Sequence, residues 1–139
     1  MTPGTIRLMP DGASHFVLPR SLEAAGRGRR LIGGALGFLP RPLLDRILLV
    51  LSELVTNSVR HGRSGSEHGV EVQVRVGERA LTLEVCDPAP GLDPEIIPEP
   101  REEGGWGLVL VDRLSTRWGV RTNDHTCVWA EFDLGGAVG

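Results

Sequence analysis

The stretch from Leu44 to His61 constrains the fold more than any other part of the chain. Leu44, Ile47, Leu48, Leu51, Leu54, Val55 and Ser58 recur at spacings of three and four, which predicts one apolar face of a helix. Glu53, Asn57 and His61 recur at i, i+4 and i+8 and so form a second stripe, drifting from nearly opposite the apolar face to its flank. A carboxylate, an amide and an imidazole stacked over two turns suit a metal-nucleotide site. The same stripe also reads as a solvated face closed by a His near the helix end, where the helix dipole favours it. Spacing leaves both readings open.

The flanking segments define what packs around this helix. His15 to Leu18 is a short strand candidate. Ser21 is placed to cap a helix whose apolar face holds Leu22, Ala25, Ile32, Ala35, Leu36 and Leu39. Glycines within it cost roughly 1 kcal/mol each relative to Ala. Arg27, Arg29 and Arg30 make a basic cluster there, read as a solvated face or a partner-binding edge. Pro40 and Pro42 break the chain before the long helix, and Gly62 ends it. Val70, Val72, Val74 and Val76 alternate with polar residues as a half-buried strand. A hairpin at Gly77 to Arg79 leads into a second strand over 80–86.

In that second strand Asp87 shares its parity with Leu81, Leu83 and Val85. A carboxylate on an apolar face is costly unless it is paired or hydrogen-bonded. It either caps the turn imposed by Pro88 and Pro90 or is an acceptor aimed into a pocket between sheet and helices. Residues 88–104, rich in proline and acidic side chains, are too long for an ordinary connection and read as a lid or binding loop. Gly104-Gly105-Trp106-Gly107 then opens an apolar helix through Leu114, an entry that offers backbone N–H groups to an anion. Trp106 serves either as a lid anchor or as core packing. A final strand pair spans Trp118 to Thr122 and Cys127 to Leu134.

The order is strand, helix, helix, hairpin, lid, helix, hairpin. It predicts an α+β two-layer sandwich, a mixed and mostly antiparallel sheet covered on one face by three helices. A single domain is expected over residues 14–134, after a loose lead-in over 1–13 and before a tail over 135–139. All fifteen basic residues are Arg, so a Walker A lysine or a Schiff base is excluded. A net charge of −3 gives no basis for nucleic-acid binding. No apolar run reaches the roughly 20 residues of a membrane span. Cys86 and Cys127, 41 positions apart with no CxxC, read as reduced thiols in a cytoplasmic protein.

Glu53-x3-Asn57-x3-His61, then Asp87 with Gly91, then Gly105-x-Gly107-Leu108 resemble in their order the GHKL ATPase superfamily, the nucleotide-binding fold of histidine kinases and of gyrase-type and chaperone ATPases. The short length, with Leu110 to Gly119 and Val128 to Phe132, looks like its stand-alone bacterial branch of anti-sigma factor serine/threonine kinases. The resemblance implies ATP and Mg²⁺ as cofactors. It casts Asn57 as the Mg²⁺ ligand, Glu53 as the general base and Asp87 as the acceptor for the adenine amine. Gly91 belongs to the first glycine box. Gly105, Trp106, Gly107 and Leu108 wrap the phosphates, and His61 orders the lid or a phosphate. The implied partners are a sigma factor, an anti-anti-sigma antagonist and a second copy of the chain, with no nucleic acid and no membrane. The chain departs from the pattern at Ala89, where the first glycine of the box belongs, and in a lid where acidic residues outnumber Arg101. These departures favour a nucleotide-binding partner-switch module without kinase activity, whereas Glu53 favours the kinase. A free-standing histidine-kinase fragment is the weaker alternative.

Overall fold

The computed structural model describes residues 7–8, 13–61, 69–87, 106–122 and 126–135. Six strands, β1 (Arg7–Leu8), β2 (Ala13–Leu18), β3 (Val70–Val76), β4 (Ala80–Asp87), β5 (Arg117–Thr122) and β6 (Thr126–Asp133), form one sheet in the order β1-β2-β3-β4-β6-β5. Three helices, α1 (Ala24–Ala35), α2 (Arg41–His61) and α3 (Trp106–Leu114), complete the α+β fold. A mostly antiparallel sheet is expected from the sequence, and every pairing among the described strands is antiparallel. β1 falls inside the stretch read as a loose lead-in, where it adds an edge strand to β2.

The core follows from the two periodicities. Val72 and Val74 of β3, Leu81, Leu83 and Val85 of β4, and Ala130 and Phe132 of β6 alternate onto one face and are buried. Ile47, Val50, Leu51, Leu54 and Val55 of α2 are buried in the same core. α2 packs against α1, α3 and β4, so it is the central element of the helix layer. Roughly 1.5–3 kcal/mol for each buried large apolar side chain makes this layer the main source of stability.

α1 starts later than its apolar pattern predicts. Glu23, not Ser21, is the N-cap residue, and it makes no side-chain capping bond. The Ser21 side chain is hydrogen-bonded to the exposed Glu23 carboxyl instead, which holds that carboxyl below its ordinary pKa. One glycine of α1, Gly28, is also more than a propensity cost. A Cβ on Gly28 would lie 3.2 Å from Leu18 Cδ1 and 3.4 Å from Leu51 Cδ2, so a side chain there would push α1 away from β2 and α2.

The cysteines correct the sequence reading. Cys86 and Cys127 are joined in a disulfide, with Cα atoms 4.0 Å apart. They sit directly opposite each other in the β4–β6 register, so the two thiols meet across the strands despite their separation in sequence. Glu84 lies on the same face, away from the helices, and pairs with Arg121 of β5. No helix among the described residues is long and apolar enough to cross a membrane.

Candidate functional site

The candidate site lies where the C-terminal half of α2 meets the end of β4. Glu53 and Asn57 are each half-buried on α2, one turn apart. Their stripe is therefore not a fully solvated face. Leu54 and Val55, buried beside them, hold the helix against the core and so fix the azimuth of both polar side chains. His61 closes α2, and its imidazole lies outside the described part of the structure.

Asp87 is the last residue of β4 and is 6% exposed, on the helix-facing side of the sheet that its parity predicts. Its partner was not foreseen. Arg20, in the connection between β2 and α1, places its Nη2 3.0 Å from Asp87 Oδ1. The side chains of the pair are 10% and 8% exposed, so both charges are shielded from water. Arg20 Nη1 also donates to the Ser58 carbonyl of α2 at 2.7 Å. One guanidinium thus ties the β2–α1 connection to α2 and to β4. The next residue along α2 after Asn57 is Ser58, whose Oγ is buried with no hydrogen-bond partner among the described residues. Thr126 of β6 sits directly opposite Asp87 in the register and is itself buried.

Breaking a buried ion pair by removing one partner costs about 3–5 kcal/mol, so Arg20 and Asp87 hold each other in place.

Of the remaining site residues, Trp106 and Gly107 open α3, and the side chain of Trp106 lies outside the described part. Leu108 is half-buried. The helix is held to β5 through Trp118 Nε1, which donates to Asp112 Oδ1 at 2.8 Å. Gly91, Gly105, Ala89, Arg101 and the lid over 88–104 lie outside the described residues. A cleft of about 220 Å³ among the described residues, lined by Gln73, Arg75, Thr82, Glu84 and Arg121, opens on the other face of the sheet and belongs to a different place in the molecule.

The donor set fits a metal-nucleotide group in part. The Asn57 amide oxygen is a hard ligand of the kind Mg²⁺ takes alongside phosphate oxygens and water. The Ser58 Oγ, buried with no hydrogen-bond partner among the described residues, lies on the apolar face of α2 and not on the Asn57 stripe. Asp87 fits with the modification that Arg20 shares its carboxylate.

Comparison with curated proteins returned no match. The family described as histidine kinase-like ATPase domain matches residues 18–132, a span that runs from the end of β2 to the end of β6 and contains Arg20, Glu53, Asn57 and Asp87. The chain belongs to the histidine kinase-like ATPase domain family.

Proposed function

We propose that the protein is an ATP-binding anti-sigma regulatory factor, a serine/threonine kinase that phosphorylates an anti-anti-sigma antagonist and sequesters a sigma factor by partner switching. A homodimer acting in the cytoplasm belongs to the same reading. The observation that carries it is the half-buried Glu53–Asn57 pair on α2, in the helix layer that packs on the sheet face where Asp87 is buried. Mg-ATP supplies the phosphoryl group. Asn57 would hold the metal through its amide oxygen, and Asp87 would accept from the base amine. Glu53, one turn before Asn57, would take the proton from the attacking serine hydroxyl, while positioning does most of the remaining work.

The second reading, a nucleotide-binding partner-switch module without kinase activity, is favoured by the Arg20 guanidinium over Asp87 and by the acidic lid sequence. Two measurements separate these readings from each other and from a protein that binds no nucleotide. Mg-ATP at about a hundred times its Kd should stabilise the fold by about 2.7 kcal/mol through linkage, a rise of several degrees in Tm. Asn57→Ala should abolish the Mg²⁺-dependent part of that rise. No rise with ATP or ADP, and no binding of labelled nucleotide, would overturn the site. Glu53→Ala should leave binding intact and lower phosphorylation of a serine-bearing antagonist by about 10²–10⁴-fold. Undiminished phosphorylation by that variant would remove Glu53 from the base role. No phosphorylation by the unmodified protein would favour the binding module.

A further inference from the structure

We propose that Cys86, Cys127 and Glu84 form, in the reduced protein, a binding site for a thiophilic divalent cation, Zn²⁺. The site lies on the sheet face away from the helices, so it does not depend on the nucleotide reading above. Among the described residues, these three bring their donor atoms within 4.8 Å of one another. The strand register builds the group. Cys86 and Cys127 are directly opposed in β4 and β6, with Cα atoms 4.0 Å apart and both side chains on one face. Glu84 precedes Cys86 by two residues and so shares that face. Its Oε1 stands 3.6 Å from Cys86 Sγ, while Oε2 pairs with Arg121 of β5. The Glu84 side chain is 14% exposed, so its carboxylate is shielded beneath the more exposed guanidinium. One carboxylate oxygen is thus held by Arg121, and the other faces the sulfurs.

The disulfide and the metal use the same two sulfurs, so each excludes the other. A dithiol reductant opens the bridge by supplying two electrons and two protons, and is itself oxidised to a disulfide. Two protein thiols result. Zn²⁺ displaces both thiol protons and takes the sulfurs as thiolates. Two thiolates and one carboxylate fill three positions of a tetrahedral zinc, and water takes the fourth. Thiolates at the usual Zn–S distance stand roughly 3.8 Å apart in a tetrahedron, a separation that two directly opposed Cys side chains reach by rotation about Cα–Cβ. The three ligands and the ion sum to a charge of −1, which the Arg121 guanidinium balances. Arg121 also orients the carboxylate, as hydrogen-bonded neighbours do for metal ligands in general. The sulfurs select zinc over Mg²⁺, which takes oxygen ligands. In a reducing compartment the metal restores the cross-link between β4 and β6 that reduction removes.

The test uses the full chain, reduced with a phosphine so that no added thiol competes for metal, and titrated without oxygen. Co²⁺ serves as the spectroscopic probe and Zn²⁺ as its competitor. Reduced protein should bind one Co²⁺ per chain, with the visible bands of a tetrahedral ion and a sulfur-to-cobalt charge-transfer band, and Zn²⁺ should bleach both. The disulfide form, which carries no substitution, should show neither band. Cys127→Ser should lower the charge-transfer band by at least half. Glu84→Gln should weaken Zn²⁺ by at least about tenfold, the lower end of what removing even a supporting group costs a metal site. Glu131→Gln, on the same face but paired with Arg117, should leave Zn²⁺ affinity unchanged. Cobalt that stays octahedral in the reduced protein, with no charge-transfer band, would overturn the site. Equally tight Zn²⁺ binding by the disulfide form, or binding undiminished in Cys127→Ser, would place the metal elsewhere on the surface and overturn it likewise. Undiminished affinity in Glu84→Gln would overturn the three-ligand assignment. Equal weakening by Glu131→Gln would overturn that assignment too, because Glu84 would then act only through its charge. None of these outcomes bears on nucleotide binding, which is measured separately.

Discussion

Asp87→Ala should cost about 3–5 kcal/mol of folding stability, a large part of the roughly 5–15 kcal/mol that a domain of this kind possesses. The cause is the charge left behind. The Arg20 side chain is 10% exposed, so without Asp87 a shielded guanidinium loses the carboxylate 3.0 Å from it. Arg20→Met removes the other partner and should cost a comparable amount. Arg20→Met combined with Asp87→Leu leaves no buried charge. That double variant should recover most of the loss, because apolar replacements of a buried pair are often neutral or stabilising. Urea unfolding of the unmodified protein, Arg20→Met, Asp87→Leu and the double variant closes the cycle, with Asp87→Ala measured beside them. If Asp87→Ala costs less than about 1 kcal/mol, the pair is as weak as a surface ion pair, and Asp87 is not holding Arg20 in place.

The parts of this site that the sequence exposes are those with a period. α2 is legible because its apolar residues repeat at the helical spacing through Val55, and the same spacing places Glu53 and Asn57 on one stripe. β3 and β4 are legible because their apolar residues alternate, and that alternation sends Asp87 to the helix side before any pairing is known. Arg20 has no such signature. Nothing in Pro19-Arg20-Ser21 separates it from the other arginines, and its role appears only when the chain brings the β2–α1 connection to the end of β4. Ser58 reads as a tolerated polar residue on an apolar face, whereas its carbonyl anchors Arg20 and its hydroxyl has no hydrogen-bond partner among the described residues. The cysteines misled for a different reason. Their spacing and an assumed compartment argued for free thiols, but strand pairing ignores sequence separation and sets them opposite each other. Aligning Cys86 with Cys127 also aligns Asp87 with Thr126 one rung further on, so a disulfide hypothesis would have supplied the register and the second buried polar residue of the site.

Reduction of the Cys86–Cys127 disulfide should lower stability by up to about 4 kcal/mol, the chain-entropy value for a loop of this length. The separation of 41 residues sets that figure between those for much shorter and much longer loops. The loss falls on the unfolded chain. β4 and β6 keep their full antiparallel register and their buried face of Leu81, Leu83, Ala130 and Phe132, so the folded sheet does not need the cross-link to stay paired. Two signatures in urea unfolding follow from that. The midpoint should fall on adding a dithiol, which exchanges with the bridge and leaves two thiols. The m value should rise, because an unfolded chain freed of its cross-link exposes more surface. Cys127→Ser should reproduce both without reductant. An unchanged midpoint would mean that the bridge contributes nothing to folding. A lower midpoint with an unchanged m value would place the loss in the folded sheet instead. In a reducing compartment such a bridge is rarely maintained, so there the reduced protein is the working form and its remaining stability must carry the buried Arg20–Asp87 pair.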